Sequence, residues 1–363
     1  MNKKNLAILG GGLISACAIG AVVCSAMTIY MSNNVSKHLS LVQSDVTAFS
    51  KAFIKEEEKA DDAQYVTIAG QYPILDTSKI SDAYINKDDS QLTTPEEKET
   101  LALASKLLSE ITTDKMSLYQ KELAIHDWMA KNIVYASDTL ASVPTGTGAT
   151  HTPYGVLKYR KSVCVGYATT FKLLMNMLGA DCMVEHDNEL CHSWNVVKLD
   201  DNEWYIVDNY YDSSSSSPSK VVSHTNFNLT NDYFTQDHTF NTSLYPVAAG
   251  TKYSYALQNA VEVKDVKQLP KLLSEAKNKT LTDCYYKFKT NVDSKYIAAV
   301  INGISQRMGD TVTLNGNYVT TDGSSVVLAV TFNYLTTDSS TDEAKYPDLT
   351  KELDKYFGES MNY

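Results

Sequence analysis

The sequence predicts an α+β protein of two folded parts standing behind an apolar N-terminal helix. Three observations carry this. An uncharged run of 26 residues, Leu6 to Met31, differs in kind from everything after it. Helical periodicities between Thr94 and Leu178 are followed by two strand-like runs, Cys191 to Leu199 and Glu203 to Asp208. A second alternation of strand and helix patterns fills the stretch from Ala260 to Tyr334. At 363 residues the chain is long for one ordinary domain, so two cores are expected.

The N-terminal run begins after Lys3 and Lys4 and contains four glycines. As a helix it reaches roughly 39 Å, enough to cross a hydrocarbon layer of about 30 Å with tilt. Lys3, Lys4 and Lys37 give a weak bias toward a cytoplasmic N-terminus and an exported body. Three readings stand: a retained transmembrane anchor, which the length favours; a cleaved signal, whose apolar region is normally shorter; and a lipidated Cys17, because Ile14-Ser15-Ala16-Cys17 resembles a bacterial lipoprotein box although the run stays apolar beyond it. All three export the rest. Residues 32–63 are polar and helix-prone, ending in Lys55-Glu56-Glu57-Glu58-Lys59, and read as a solvated stalk.

The expected organisation is therefore an anchor or signal over 1–31, a stalk over 32–63, a first folded domain over 64–250 and a smaller α+β domain over 251–363. A net charge of -11 and a pI near 5.1 argue against nucleic acid as a partner. Only Cys164, Cys182, Cys191 and Cys284 lie in the exported part, too few for a disulfide scaffold.

Within the first domain, Thr94-Pro95-Glu96-Glu97 is a helix start, with a capping Thr, Pro at the first helical position and acids at the positive end of the dipole. Leu101, Ala104, Leu107, Leu108 and Ile111 follow at helical spacing. A second helix carries Leu123, Ile125, His126, Trp128, Met129 and Ile133, a stripe that reads as core, His126 included. Asp138 to His151, rich in Thr, Gly, Ser and Ala and ending at Pro153-Tyr154-Gly155, reads as a surface loop, as do Ser213 to Ser217.

The chemistry concentrates between Cys164 and Asp212. Tyr167, Phe171, Leu174 and Leu178 recur at helical steps and Gly179 supplies a stop, which sets Cys164 at the N-terminus of a buried helix. The partial positive charge there favours thiolate, the nucleophilic form of the side chain. If Asp200-Asp201-Asn202 form a three-residue hairpin loop, Leu199 pairs with Glu203, and His192 and Asp208 fall on one face as diagonal neighbours. A carboxylate can then reach an imidazole.

A helix-starting Cys164, a strand with His192-x-Trp194-Asn195-x-Val197 and a strand ending Trp204-Tyr205-x-Val207-Asp208 resemble the transglutaminase-like superfamily. The matches at Tyr154-Gly155-Val156-Leu157 and Val163-Cys164-Val165-Gly166-Tyr167-Ala168 extend the resemblance. It implies a papain-like α+β core with a nucleophile-bearing helix packed on an antiparallel sheet. It implies attack by Cys164 on an amide carbonyl, with His192 as base and Asp208 as its orienter, and the groove is assigned Tyr154, Trp194 and Gly166. Ser162 stands where relatives often have Gly, and Asn209-Tyr210-Tyr211-Asp212 where many end Thr-Trp-Asp.

The implied activity is acyl transfer from peptide or glutamine-type amides through a thioester, with water giving a peptidase or amidase and an amine a cross-linker; the competing reading is a catalytically silent surface binding module. No cofactor and no metal are expected. Cys182, His186, Cys191 and His192 lack standard zinc spacing, and a ligated His192 could not act as base. Cys182 and Cys191 are read as two separate thiols or a disulfide. The C-terminal domain reads as strand (260–263), helix (266–277), strand (284–289), helix (295–308) and a hairpin of two strands (311–319 and 325–334) turning at Thr320-Thr321-Asp322-Gly323-Ser324, a small sandwich expected to be ferredoxin-like.

Overall fold

The computed structural model describes residues 65–360 apart from 70–71, 137–148, 188–191, 214–221, 237, 280, 282, 290–293, 310, 320–324 and 334–346. The apolar run, the stalk, most of the loop at 138–151, most of the serine run, Cys191 and the turn at Thr320 to Ser324 lie outside the described residues. Among the described residues no helix is long and apolar enough to cross a membrane.

A short antiparallel pair, β1 (Tyr65–Ile68) and β2 (Tyr72–Leu75), leads into α1 (Ser78–Asn86), α2 (Pro95–Ile111) and α3 (Leu118–Asn132). Thr94 caps α2 as the sequence foretold, accepting from the Glu97 N–H, and the Glu97 carboxylate in turn accepts from the Thr94 N–H. Ser117 and Gln120 repeat the device at α3. A two-residue parallel bridge, β3 (Val134–Tyr135) with β4 (Lys161–Ser162), brackets α4 (Pro153–Tyr159). That helix was not expected: Pro153, read as the end of a loop, instead occupies its first turn behind a Thr152 cap.

The central helix α5 (Cys164–Met177) is buried along almost its whole length. Gly179, at φ +82°, ends it in a conformation that costs glycine little. It packs on an antiparallel sheet of β5 (Cys182–Asp187), β6 (His192–Lys198), β7 (Trp204–Val207) and, beyond α6 (Asn209–Asp212), β8 (Phe227–Leu229), in that spatial order. The β6–β7 register pairs Asn195 with Val207, Val196 with Ile206, Val197 with Tyr205 and Lys198 with Trp204, the alignment that a three-residue loop requires. Asn202 sits at φ +67°, the left-handed residue that closes such loops.

Both faces of this sheet are buried. Val197, Tyr205, Val207 and Phe227 join Tyr167, Phe171 and Leu174 of α5 in the main core. Trp194, Val196, Ile206 and Leu229 form a second core with Tyr285, Val327 and Ala329 of another sheet. After α7 (Asn231–Phe234) and α8 (Tyr255–Asn259), that second sheet is built from β9 (Val261–Glu262), β10 (Asp283–Lys289), β11 (Thr311–Val319) and β12 (Ser325–Asn333), ordered β11-β12-β10-β9. The helices α9 (Leu269–Asn278) and α10 (Ser294–Arg307) connect its strands, and α11 (Pro347–Ser360) follows.

The mixed α+β class is as expected, but the ferredoxin-like type is not what forms. β9 and β10 pair in parallel across α9, and α10 then leads to a hairpin, giving β-α-β-α-β-β rather than the ferredoxin order β-α-β-β-α-β. The central β12 pairs with β10 and β11 on its two edges. The helix α11 went unforeseen, although Pro347 at its start and Leu349 and Leu353, one turn apart and buried, are the pattern that would have found it.

Candidate active site

Cys164 occupies the first position of α5, behind Val163, which offers no side-chain cap, so the positive end of the helix is directed at the region of the thiol. Cys164 is partly buried, whereas Cys182 and Cys284 are buried thiols. Cys182 is buried opposite Val197, at the far end of β5 from Asp187, the partner of His192 in register. The cluster of Cys182, His186 and His192 weighed from sequence is therefore not assembled. His186 instead stacks on Tyr72 and bonds through Nδ1 to Ser193 Oγ at 2.8 Å.

His192 Nε2 meets Asp208 Oδ2 at 2.5 Å, both side chains nearly or fully buried. The route differs in detail from a continued hairpin. β7 stops at Val207, and Asp208 becomes the N-cap of α6, its Oδ1 accepting the Tyr210 and Tyr211 N–H groups at 3.0 and 3.1 Å. One carboxylate oxygen thus fixes the residue's own backbone and the other fixes the imidazole. His192 also shares a side-chain hydrogen bond with Cys164. Burial alone would lower the His192 pKa, yet the Asp208 charge and hydrogen bond, together with a hydrogen bond and charge from Cys164, raise it above the ordinary imidazole value.

The three groove residues divide. Trp194 lies beside His192, with ring centroids 5.7 Å apart, but is 1% exposed and donates its Nε1–H to Glu185, so it packs behind the histidine. Gly166 is buried, and a Cβ there would stand 2.1 Å from the Thr150 carbonyl oxygen, so its part is the close approach of α5 to the preceding loop. Tyr154 gives its hydroxyl to Glu99 at 3.1 Å and receives Lys158 at 2.5 Å, holding α4 against α2. The reason in each case is tertiary, because neighbouring elements take the side chain's contact surface.

Three aromatic rings that sequence reasoning gave no role lie against His192, and a fourth packs on one of them. Tyr210 and Tyr211 lie 5.4 and 4.8 Å from it, His238 lies 6.0 Å away, and Tyr135 packs on Tyr210 at 4.8 Å. Burial and then, among the charges, Cys164 raise the Tyr210 pKa and keep its hydroxyl protonated. Burial likewise raises Glu185, to about 8, against the opposing Trp194 hydrogen bond. Donor atoms of His192, Asp208 and His238 lie within 4.8 Å of one another, but a metal there would compete with the thiol and Asp208 for the imidazole.

Residues 105–209, which include Cys164, His192 and Asp208, match the family model of the transglutaminase-like superfamily. This segment resembles a transglutaminase-like core. The first part of α2 and everything from Tyr210 onward, Tyr211 and His238 included, lie outside the match. A solved structure described as "Crystal structure of a TGase" is 22% identical, covers 39% of this chain and 40% of that chain, and has a TM-score of 0.28. The chain thus aligns with well under half of that protein's length. No curated protein matches the chain.

Proposed function

We propose that the chain is a cysteine-nucleophile enzyme acting on peptide or glutamine-type amides through a thioester on Cys164. The observation that carries this reading is the single run of contacts from the helix-terminal thiol through His192 to a fully buried Asp208. His192 takes the proton of the Cys164 thiol. The thiolate attacks the amide carbonyl, His192 returns the proton to the leaving nitrogen, and the C–N bond breaks to leave a thioester. Water then gives an acid, or an amine gives a new amide, with His192 as base. Asp208 keeps the imidazole oriented and stabilises its charged form.

The residues 64–250 form the catalytic unit in this reading, and 251–363 cover the sheet face behind Trp194. The run Leu6–Met31 holds the protein in the membrane with both units on the extracytoplasmic side, where a peptide or protein substrate, cell-wall associated, is reached.

Alkylation of Cys164 tests the chemistry without knowledge of the substrate. The wild-type rate stays above that of a free thiol as pH falls below 7, and His192→Ala lowers it. A rate indifferent to His192 would leave only a silent binding module. Mass spectrometry of peptides incubated with wild type and Cys164→Ala, with and without a primary amine, then separates cleavage, deamidation and amine incorporation.

A further inference from the structure

A second cluster of titratable side chains lies apart from Cys164 and His192, between α3, the end of α6 and the segment before β8. His126 and Asp127 are consecutive on α3, and His224 comes from the segment before β8. His224 Nε2 is 2.8 Å from Asp127 Oδ1, His126 Nδ1 is 3.5 Å from the same oxygen, and all three donor atoms lie within 4.8 Å of one another. His126 is fully buried and the His224 side chain nearly so, while the Asp127 side chain is 32% exposed, which gives an entry path.

The surroundings fix these donors in the manner of a ligand set. The other nitrogen of His126, Nε2, donates to Asp212 Oδ2 at 3.1 Å. Asp212 is itself saturated, accepting from the Asn226 backbone and side chain and from Thr225 Oγ1. A buried carboxylate on the far nitrogen sets the imidazole plane and tautomer, the arrangement that supports metal-bound histidine. The His224 ring is held flat against Tyr255, with centroids 4.0 Å apart and planes 8° from parallel, and its backbone N–H is taken by Asp283.

The long separation is the informative one. At 3.5 Å the His126 Nδ1 to Asp127 contact is too long for a normal N–H···O hydrogen bond, which spans about 2.7–3.2 Å. Two donors sharing one tetrahedral ion at about 2.1 Å stand about 3.4 Å apart, so the His126 pair already has that spacing, whereas the 2.8 Å hydrogen bond from His224 Nε2 to Asp127 Oδ1 has to open by about 0.6 Å for both atoms to share an ion. Charge points the same way, since Asp127, Asp212 and Asp283 surround the two imidazoles. The facing cation is Lys131, 3.7 Å from the other Asp127 oxygen.

We propose that His126 Nδ1, Asp127 Oδ1 and His224 Nε2 bind one divalent first-row cation, zinc by donor type, with a fourth position open toward solvent. The site revises the expectation that the chain needs no metal. It does not depend on the proposed amide chemistry, because none of its ligands belongs to the Cys164, His192 and Asp208 set. The bound ion clips the segment before β8 to α3, and through Asp212 it anchors the end of α6 opposite to Asp208.

The test uses the full chain in detergent, stripped with a chelator and dialysed against zinc alone, with bound zinc per chain and thermal unfolding as readouts. About one zinc per chain and a rise in Tm are expected for wild type. His224→Gln and Asp127→Asn each lose the rise and weaken binding at least about tenfold, whereas His238→Gln keeps both. Asp127 is partly exposed, so its Asn variant provides a folded comparison if His224→Gln lowers the metal-free Tm. Absence of zinc from wild type, zinc retained by both ligand variants, or zinc lost in His238→Gln alone overturns the proposal, the first leaving a plain hydrogen-bonded network.

Discussion

Asp208 holds His192 with one carboxylate oxygen and its own helix with the other, Oδ2 lying 2.5 Å from the imidazole Nε2 and Oδ1 capping α6. The two duties are separable by mutation. Asn caps a helix as well as Asp but carries no charge, so Asp208→Asn keeps the fold within about 0.5 kcal/mol while lowering amide turnover roughly 10²–10⁴-fold. Asp208→Ala loses both and costs about 1 kcal/mol more. Denaturant titration alongside initial rates checks this; equal stability loss in the two variants would show that the cap is not at work.

Glu185 predicts a pH dependence of stability. Burial pushes its carboxyl from 4.5 to about 8, so the neutral form prefers the folded state. A folded value raised above the unfolded one gives stabilisation that is complete below about pH 4.5 and is lost as pH rises through about 8. Glu185→Gln cannot ionise, and wild type therefore loses stability relative to it across that window. Chemical denaturation at several pH values decides; parallel curves would mean that Glu185 is ionised in the folded protein. Fully buried Glu122, also raised to about 8, adds a similar slope to both proteins.

Gly166→Ala places a methyl 2.1 Å from the Thr150 carbonyl oxygen and 2.5 Å from Ser162 Oγ. Backbone has to move, at a cost of about 1–3 kcal/mol, and the start of α5 moves with it. Both the unfolding midpoint and the alkylation rate of Cys164 are expected to fall. A loss under about 0.5 kcal/mol would show that the loop yields freely.

Tyr154 and Trp194 respond oppositely to loss of their polar atoms. Tyr154→Phe removes exposed bonds to Glu99 and Lys158 and changes stability by less than about 0.5 kcal/mol, with Cys164 alkylation unaltered. Trp194→Phe leaves buried Glu185 without its indole donor and costs about 1–3 kcal/mol. An alkylation or turnover defect in Tyr154→Phe would restore that tyrosine to the groove.

Much of this was legible because it is local. The Thr94 cap, the helix that starts at Cys164 and the β6–β7 register are set within one or two turns or across one short loop, where hydrogen-bond geometry leaves few choices. The helix α4 was hidden because Pro153 and Gly155 carry the same signal in loops and in first turns, and a Thr cap is weak evidence alone.

The sequence by itself determined the α+β class, a cysteine at a helix N-terminus, and a histidine and a carboxylate brought together by one hairpin loop. Those follow from apolar periodicity and loop length. Only the tertiary structure decided that Trp194 is buried against the second sheet, that Tyr154 faces Glu99, and that Tyr210, Tyr211 and His238 gather around His192, with Tyr135 packed on Tyr210. It alone joined His224 to Asp127 across 97 positions of chain. Contacts at such separation are chosen by how whole elements pack, and no period or spacing in a single sequence records which buried polar groups meet when they do.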